Sequence, residues 1–299
     1  MKPHVNAKLT LCFKSLMGSS IVAASLLAGS TPALSQNPVP DLSSAAQRAT
    51  YADLVDLAER SDMVIRAEIR RQIILKPERA PGLEPGFARL YIEARTLSLI
   101  SGSAAVGESL TFLVDVPLNA KGKPGKYKKR QMLLFADRVP GQSGAIRLTA
   151  KQAMLDYTAE FEARLRPILT DLAKADVPPQ VTGIGDALAV RGNLVGESET
   201  QIFVETRDRS PVSITVLRRP GQPVTWGVSW GEIIDSSARA PEPQTLRWYR
   251  LACSLPSRLP SSANLARDPE ARRLAEADYR FVMDALGPCA RAITRADEV

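Results

Sequence analysis

Ten consecutive residues, Lys121-Gly122-Lys123-Pro124-Gly125-Lys126-Tyr127-Lys128-Lys129-Arg130, carry six cations and no acid. Five ammonium groups and one guanidinium on a turn attract anions over roughly 10 Å at 0.1 M salt. Lys121, Lys123, Lys126, Lys128, Lys129 and Arg130 are therefore the candidate anion-binding residues. Fitting partners are an anionic lipid headgroup, an acidic glycan or an envelope protein with an acidic face. Nucleic acid fits poorly, because a single aromatic residue, Tyr127, interleaves the cations and offers little stacking surface. The bland alternative is a solvated hairpin tip whose lysines keep a sheet edge from pairing.

Other chemistries are short of parts. The chain has one histidine, His4, and three cysteines, Cys12, Cys253 and Cys289. Gly227-Val228-Ser229-Trp230-Gly231 has the G-x-S-x-G spacing of a nucleophile elbow. Serine attack needs a general base, and no histidine follows Ser229. No S-x-x-K occurs, so a Ser–Lys dyad has no motif either. Gly183-Ile184-Gly185 starts like a dinucleotide loop, but Leu188 stands where the third glycine belongs. Carboxylate pairs remain: Asp53 with Asp56, Glu197 with Glu199, and Glu232 with Asp235. Calcium-loop spacing is absent, and two thiolates without imidazole leave a tetrahedral metal site half empty. No catalytic residue, metal or cofactor is assigned.

The chain opens with Lys2, Lys8 and Lys14 and no acid, then an apolar run from Leu16 to Ala28, then Ala33-Leu34-Ser35. That is the order of a secretory signal peptide, residues 1–35, with cleavage before Gln36. Cleavage removes His4 and Cys12. It leaves an even pair of cysteines, Cys253 and Cys289, expected as a disulfide in an oxidising compartment. No later run is long enough to cross a bilayer. The expected location is periplasmic or secreted.

The net charge of +7 is unevenly placed: residues 36–150 hold the basic excess, and residues 151–299 are nearly balanced. Residues 36–47 read as a polar tether. Thr50 is placed to cap a helix to about Glu59, with Asp53 in the capping-box position. Strands are expected at Met63–Leu75, Leu90–Ile100, Ser109–Val116, Gln131–Asp137 and Ile146–Leu148. The basic run is then a flexible connection between the third and fourth. A helix over Thr158–Ala175 should be kinked or divided by Pro167. Strands at Val181–Val190, Thr200–Thr206, Val212–Arg218 and Val224–Trp230 follow as an antiparallel meander. Two helices come last. One spans Gln244–Cys253, with Trp248, Tyr249 and Leu251 as core. The other starts at the Asp268 cap and Pro269 and stops before Gly287.

Tyr51-Ala52-Asp53-Leu54-Val55, Ser61-Asp62-Met63-Val64, Ile100-Ser101-Gly102, Leu110-Thr111-Phe112-Leu113-Val114 and Leu133-Leu134-Phe135 recur in an order that resembles small exported netrin-like or OB-type β-barrel domains. Residues 196–203 and 248–253 resemble the C-terminal half of an exported bacterial protein family of unknown function. The resemblance implies a barrel and export, and carries over no functional residue.

The expected fold is α+β. A small antiparallel β-barrel-like domain (48–150) is joined by a bridging helix (151–179) to a β-meander with two disulfide-linked helices (180–292). The first functional reading is a non-enzymatic binding module of the cell envelope. The second is a histidine-free hydrolase using paired carboxylates, acting on envelope polysaccharide.

Overall fold

Period-two alternation and one continuous apolar run build the first sheet. The computed structural model describes residues 42–233 and 238–294, with side chains from residue 45 onward. The signal-peptide reading of residues 1–35 and the candidate acid Asp235 lie outside the described residues.

Six strands pair antiparallel: β1 (Met63–Ile74), β2 (Phe87–Gly102), β3 (Ser109–Pro117), β4 (Gln131–Arg138), β5 (Ile146–Leu148) and β6 (Met154–Asp156). Their order is β3-β2-β1-β4-β5, with β6 also on β4. β2 buries Ala88, Leu90, Ile92 and Ala94, and β3 buries Leu110, Phe112, Val114 and Val116, one face each. β4 is buried throughout Met132–Ala136, because it has a core on both faces. Met132 and Leu134 join the cluster inside the curl, while Leu133 and Phe135 join the cluster under the helices. Three register shifts between β1 and β2 tighten that curl.

The predicted barrel does not close. The two ends of the sheet touch at one parallel bridge, Thr111 with Ala145, where the Thr111 N–H donates to Gly144 O at 2.9 Å. A closed barrel needs a continuous ladder there, and β5 is three residues long. The contact demands glycine at 144, since a Cβ would lie 2.7 Å from Ser109 O and φ is +78°.

The second sheet is the expected meander, order β10-β9-β8-β7, from β7 (Val181–Arg191), β8 (Ser198–Thr206), β9 (Val212–Arg218) and β10 (Thr225–Ser229). Five α-helices complete the fold among the described residues: α1 (Leu42–Arg48), α2 (Tyr51–Glu59), α3 (Ala159–Leu172), α4 (Leu246–Ala252) and α5 (Pro269–Leu286). The polar tether predicted over 36–47 thus contains most of α1. Its Ala45 and Ala46 are buried against the core, so tertiary packing overrides the Ser- and Pro-rich composition. α3 is one helix with Pro167 inside it, neither divided nor started anew there. Phe161, Leu165 and Ile168 anchor α3 on both sides of that proline.

The caps follow the sequence. Thr50 and Asp53 form a reciprocal capping box on α2, and Asp268 accepts from the Ala271 N–H at the start of α5. One hydrophobic cluster runs from Leu133 and Phe135 through Leu57 and Leu165 to Ile202 and Val282. Both sheets and all five helices belong to one compact unit. Cys253, the cap after α4, and Cys289, just past α5, are bonded with Cα atoms 5.1 Å apart.

Candidate anion-binding surface

The 121–130 loop is pinned rather than open. Asn119 begins it as an Asx turn, its side-chain oxygen accepting from the N–H groups of Lys121 (2.9 Å) and Lys123 (3.2 Å). Next, the Gln72 amide on β1 brackets the chain. Its Nε2 donates to Gly125 O at 2.9 Å, and its Oε1 accepts from the Tyr127 N–H at 2.6 Å. The backbone then pairs with β1 directly: Lys129 N–H to Ile69 O at 2.8 Å, and Ile69 N–H to Arg130 O at 3.0 Å. Tyr127 is 1% exposed and sits in the cluster inside the curled sheet, so it anchors the loop and presents no stacking face.

The six cations fall into two sets. Arg130 pairs with Asp156 on β6 and lies over the Tyr127 ring at 5.4 Å from its centroid. It holds the loop to the sheet. Lys121, Lys123, Lys126, Lys128 and Lys129 are exposed, and none has an ion pair among the described residues. Neighbouring β1 arginines differ: Arg70 pairs with Glu68 at 3.0 Å and Arg71 with Glu93 at 3.3 Å. The lysines are thus an uncompensated set of positive charges on a fixed backbone.

The carboxylate pairs have other partners. Asp53 is 0% exposed and Asp56 is 2% exposed, both on α2. Asp53 accepts from the Thr50 N–H (2.8 Å), and from the N–H groups of Ala292 (2.9 Å), Ile293 (3.2 Å) and Thr294 (2.8 Å). Asp56 accepts from Arg291 Nε at 2.6 Å and from the Tyr249 hydroxyl. The Thr294 hydroxyl lies between them, 2.7 Å from Asp53 and 2.8 Å from Asp56.

Burial alone would raise the Asp53 carboxyl, but the backbone donors of Thr294, Thr50 and Ala292 outweigh it and hold the group below its usual range. Burial, then the bond to Asp56, pushes the Tyr249 hydroxyl well above its ordinary range, so it stays a donor. The arrangement clamps residues 290–294 onto α2 and leaves no carboxylate facing a substrate.

Glu197 and Glu199 do line one cleft, of about 460 Å³, yet Glu197 accepts from the Leu194 N–H of its own hairpin and Glu199 from Gln201 Nε2. Ser229 on β10 is the cross-strand neighbour of Ser213 on β9, with no histidine among the described residues. The expected core residues Trp248, Tyr249 and Leu251 are buried, and Trp248 Nε1 donates to Leu286 O at 2.7 Å. No cluster of metal-ligating side chains exists among the described residues.

Sequence reasoning missed two features. The capping box flags Asp53 locally, but nothing near it signals partners some 240 residues away. The second is the bare strand face at Gly183 and Gly185, where a Cβ would meet the Glu205 side chain at 3.3 and 3.6 Å. No family model matches the chain, and no curated protein matches it in sequence.

Proposed function

We propose that the protein is an exported, non-enzymatic binding module of the cell envelope that holds an anionic partner on the lysines of the 121–130 loop. The observation that carries this reading is five exposed lysines without ion pairs on a backbone fixed by Tyr127 and Gln72. A fixed backbone leaves only the lysine side chains to be ordered on binding, which favours a functional surface over a solvated tip. Export is supported by the leader-like order of residues 1–35 and by the Cys253–Cys289 bond. No helix among the described residues is long and apolar enough to cross a membrane.

Co-sedimentation with phosphatidylglycerol vesicles and retention on an immobilised polyuronate test the binding. The variant combines Lys121→Ser, Lys126→Ser, Lys128→Ser and Lys129→Asn, keeping Arg130 for structure. Asparagine suits position 129, where φ is 70°. At about 1 kcal/mol per lysine near an anionic surface, affinity should fall at least about 100-fold. Added salt should weaken binding of the native protein. Equal affinity in the variant, or no binding to either probe at low salt, overturns the reading. Sequencing the N-terminus of protein recovered from an exporting host tests export, which predicts Gln36 as the first residue.

A further inference from the structure

The outer face of the second sheet carries a cleft of about 420 Å³, within the 300–1,000 Å³ usual for small-molecule sites. It lies at the end of the sheet where the β8–β9 turn meets the residues after β10. Its floor is Ser213, 4% exposed, whose hydroxyl has no hydrogen-bond partner among the described residues. A buried hydroxyl without a partner is costly, and native structures rarely leave one. Beside it on β8 stands Phe203, paired across the strands with Ser213 and 44% exposed, a flat apolar surface facing outward.

Two carboxylates and one guanidinium complete the rim. Glu205 follows on the same face of β8, and Glu232 and Arg209 close the other sides. None of the three has an ion pair among the described residues. On β7, glycine stands at 183, directly opposite Glu205, and again at 185, so no side chain there crowds Glu205. These are the two glycines whose spacing suggested a dinucleotide loop.

We propose that this cleft is a saccharide-binding site. A sugar ring offers a C–H face to stack on Phe203 and a rim of hydroxyls that donate to Glu205 and Glu232. Another hydroxyl pairs with Ser213, and Arg209 donates to a hydroxyl or ring oxygen. An anion would meet two carboxylates here, and a cation would meet Arg209. A neutral polyol suits both. The site is separate from the 121–130 lysines and does not depend on the anion-binding reading.

The test is titration of the full chain with four unbranched tetrasaccharides: β-1,4-glucan, α-1,4-glucan, β-1,4-linked N-acetylglucosamine and α-1,6-mannan. Fluorescence of Trp230, next to Gly231 in the cleft wall, reports binding. At least one tetrasaccharide should bind, and Phe203→Ala should weaken it by about tenfold or more. Gly183→Leu should abolish it by filling the bare face, with the melting temperature checked alongside. Should Gly183→Leu fail to fold, Ser213→Ala should still cost several-fold in affinity in a folded protein. Both Phe203→Ala and Ser213→Ala should sediment with phosphatidylglycerol vesicles like the native chain. Absence of binding by all four saccharides, or binding indifferent to Phe203→Ala and Ser213→Ala, overturns the assignment.

Discussion

At the clamp between α2 and residues 290–294, two carboxylates, a guanidinium and three hydroxyls are almost wholly removed from water and satisfy one another. At the 121–130 loop, five ammonium groups face water with no protein partner among the described residues. The clamp holds three charges of both signs and the loop five of one sign, and the two regions use them oppositely. Buried charge that is fully paired fixes structure, because losing one partner strands the others. Exposed charge without a partner adds little to stability and remains available to something outside. Arg130 shows the boundary inside a single loop, since it alone of the six cations is half-buried and paired.

That comparison can be broken at either end. Asp56→Ala should cost about 3–5 kcal/mol, because Arg291 and Tyr249 keep their burial and lose their acceptor. Denaturant unfolding measures it, and a loss near zero would put the clamp in the same class as the lysines. Replacing Cys253 and Cys289 together by serine should cost about 2–4 kcal/mol, since the bond closes residues 36 apart. The same unfolding curve reads it, with the reduced native protein as a check.

Acid should find the clamp next. Asp53 titrates below its usual range when folded, so its stabilisation is whole above the unfolded value of about 4 and is lost as pH falls through the folded one. Unfolding midpoints at neutral pH and at about pH 3 should differ more for the native protein than for Asp53→Asn. The smallest effect belongs to the four-lysine variant, whose stability should stay within about 0.5 kcal/mol of native while its anion binding collapses. A destabilisation as large as that of Asp56→Ala would make the lysines structural and erase the contrast.

Local chemistry was readable from the chain. Thr50 and Asp53 at one helix start, and Asp268, Pro269 and Gly287 around another, act through neighbours three or four residues away. The bounds of β5 and β9 coincide with the expected ones, because alternation and β-branched residues mark them. The Cys253–Cys289 bond followed from parity. What stayed hidden depends on distant partners. Barrel closure turns on whether Thr111 meets a whole strand or only Ala145. β6 is three residues long and exists only because β4 offers an edge. Arg130 reads as one more cation in a basic run until Asp156 is beside it. The saccharide cleft depends on side chains that glycines omit, and an absent side chain leaves no apolar or polar signal to read.

The clamp also sets a timetable. Asp53 and Asp56 belong to the second helix, while Ala292, Ile293, Thr294 and Arg291 come up to 241 residues later. A chain that emerges N-terminus first therefore carries two buried carboxylates without their distant partners until residues 291–294 have been made. Contacts of such long sequence separation form slowly. The segment after α5 is thus a latch that closes on α2 late, after both sheets can already have paired.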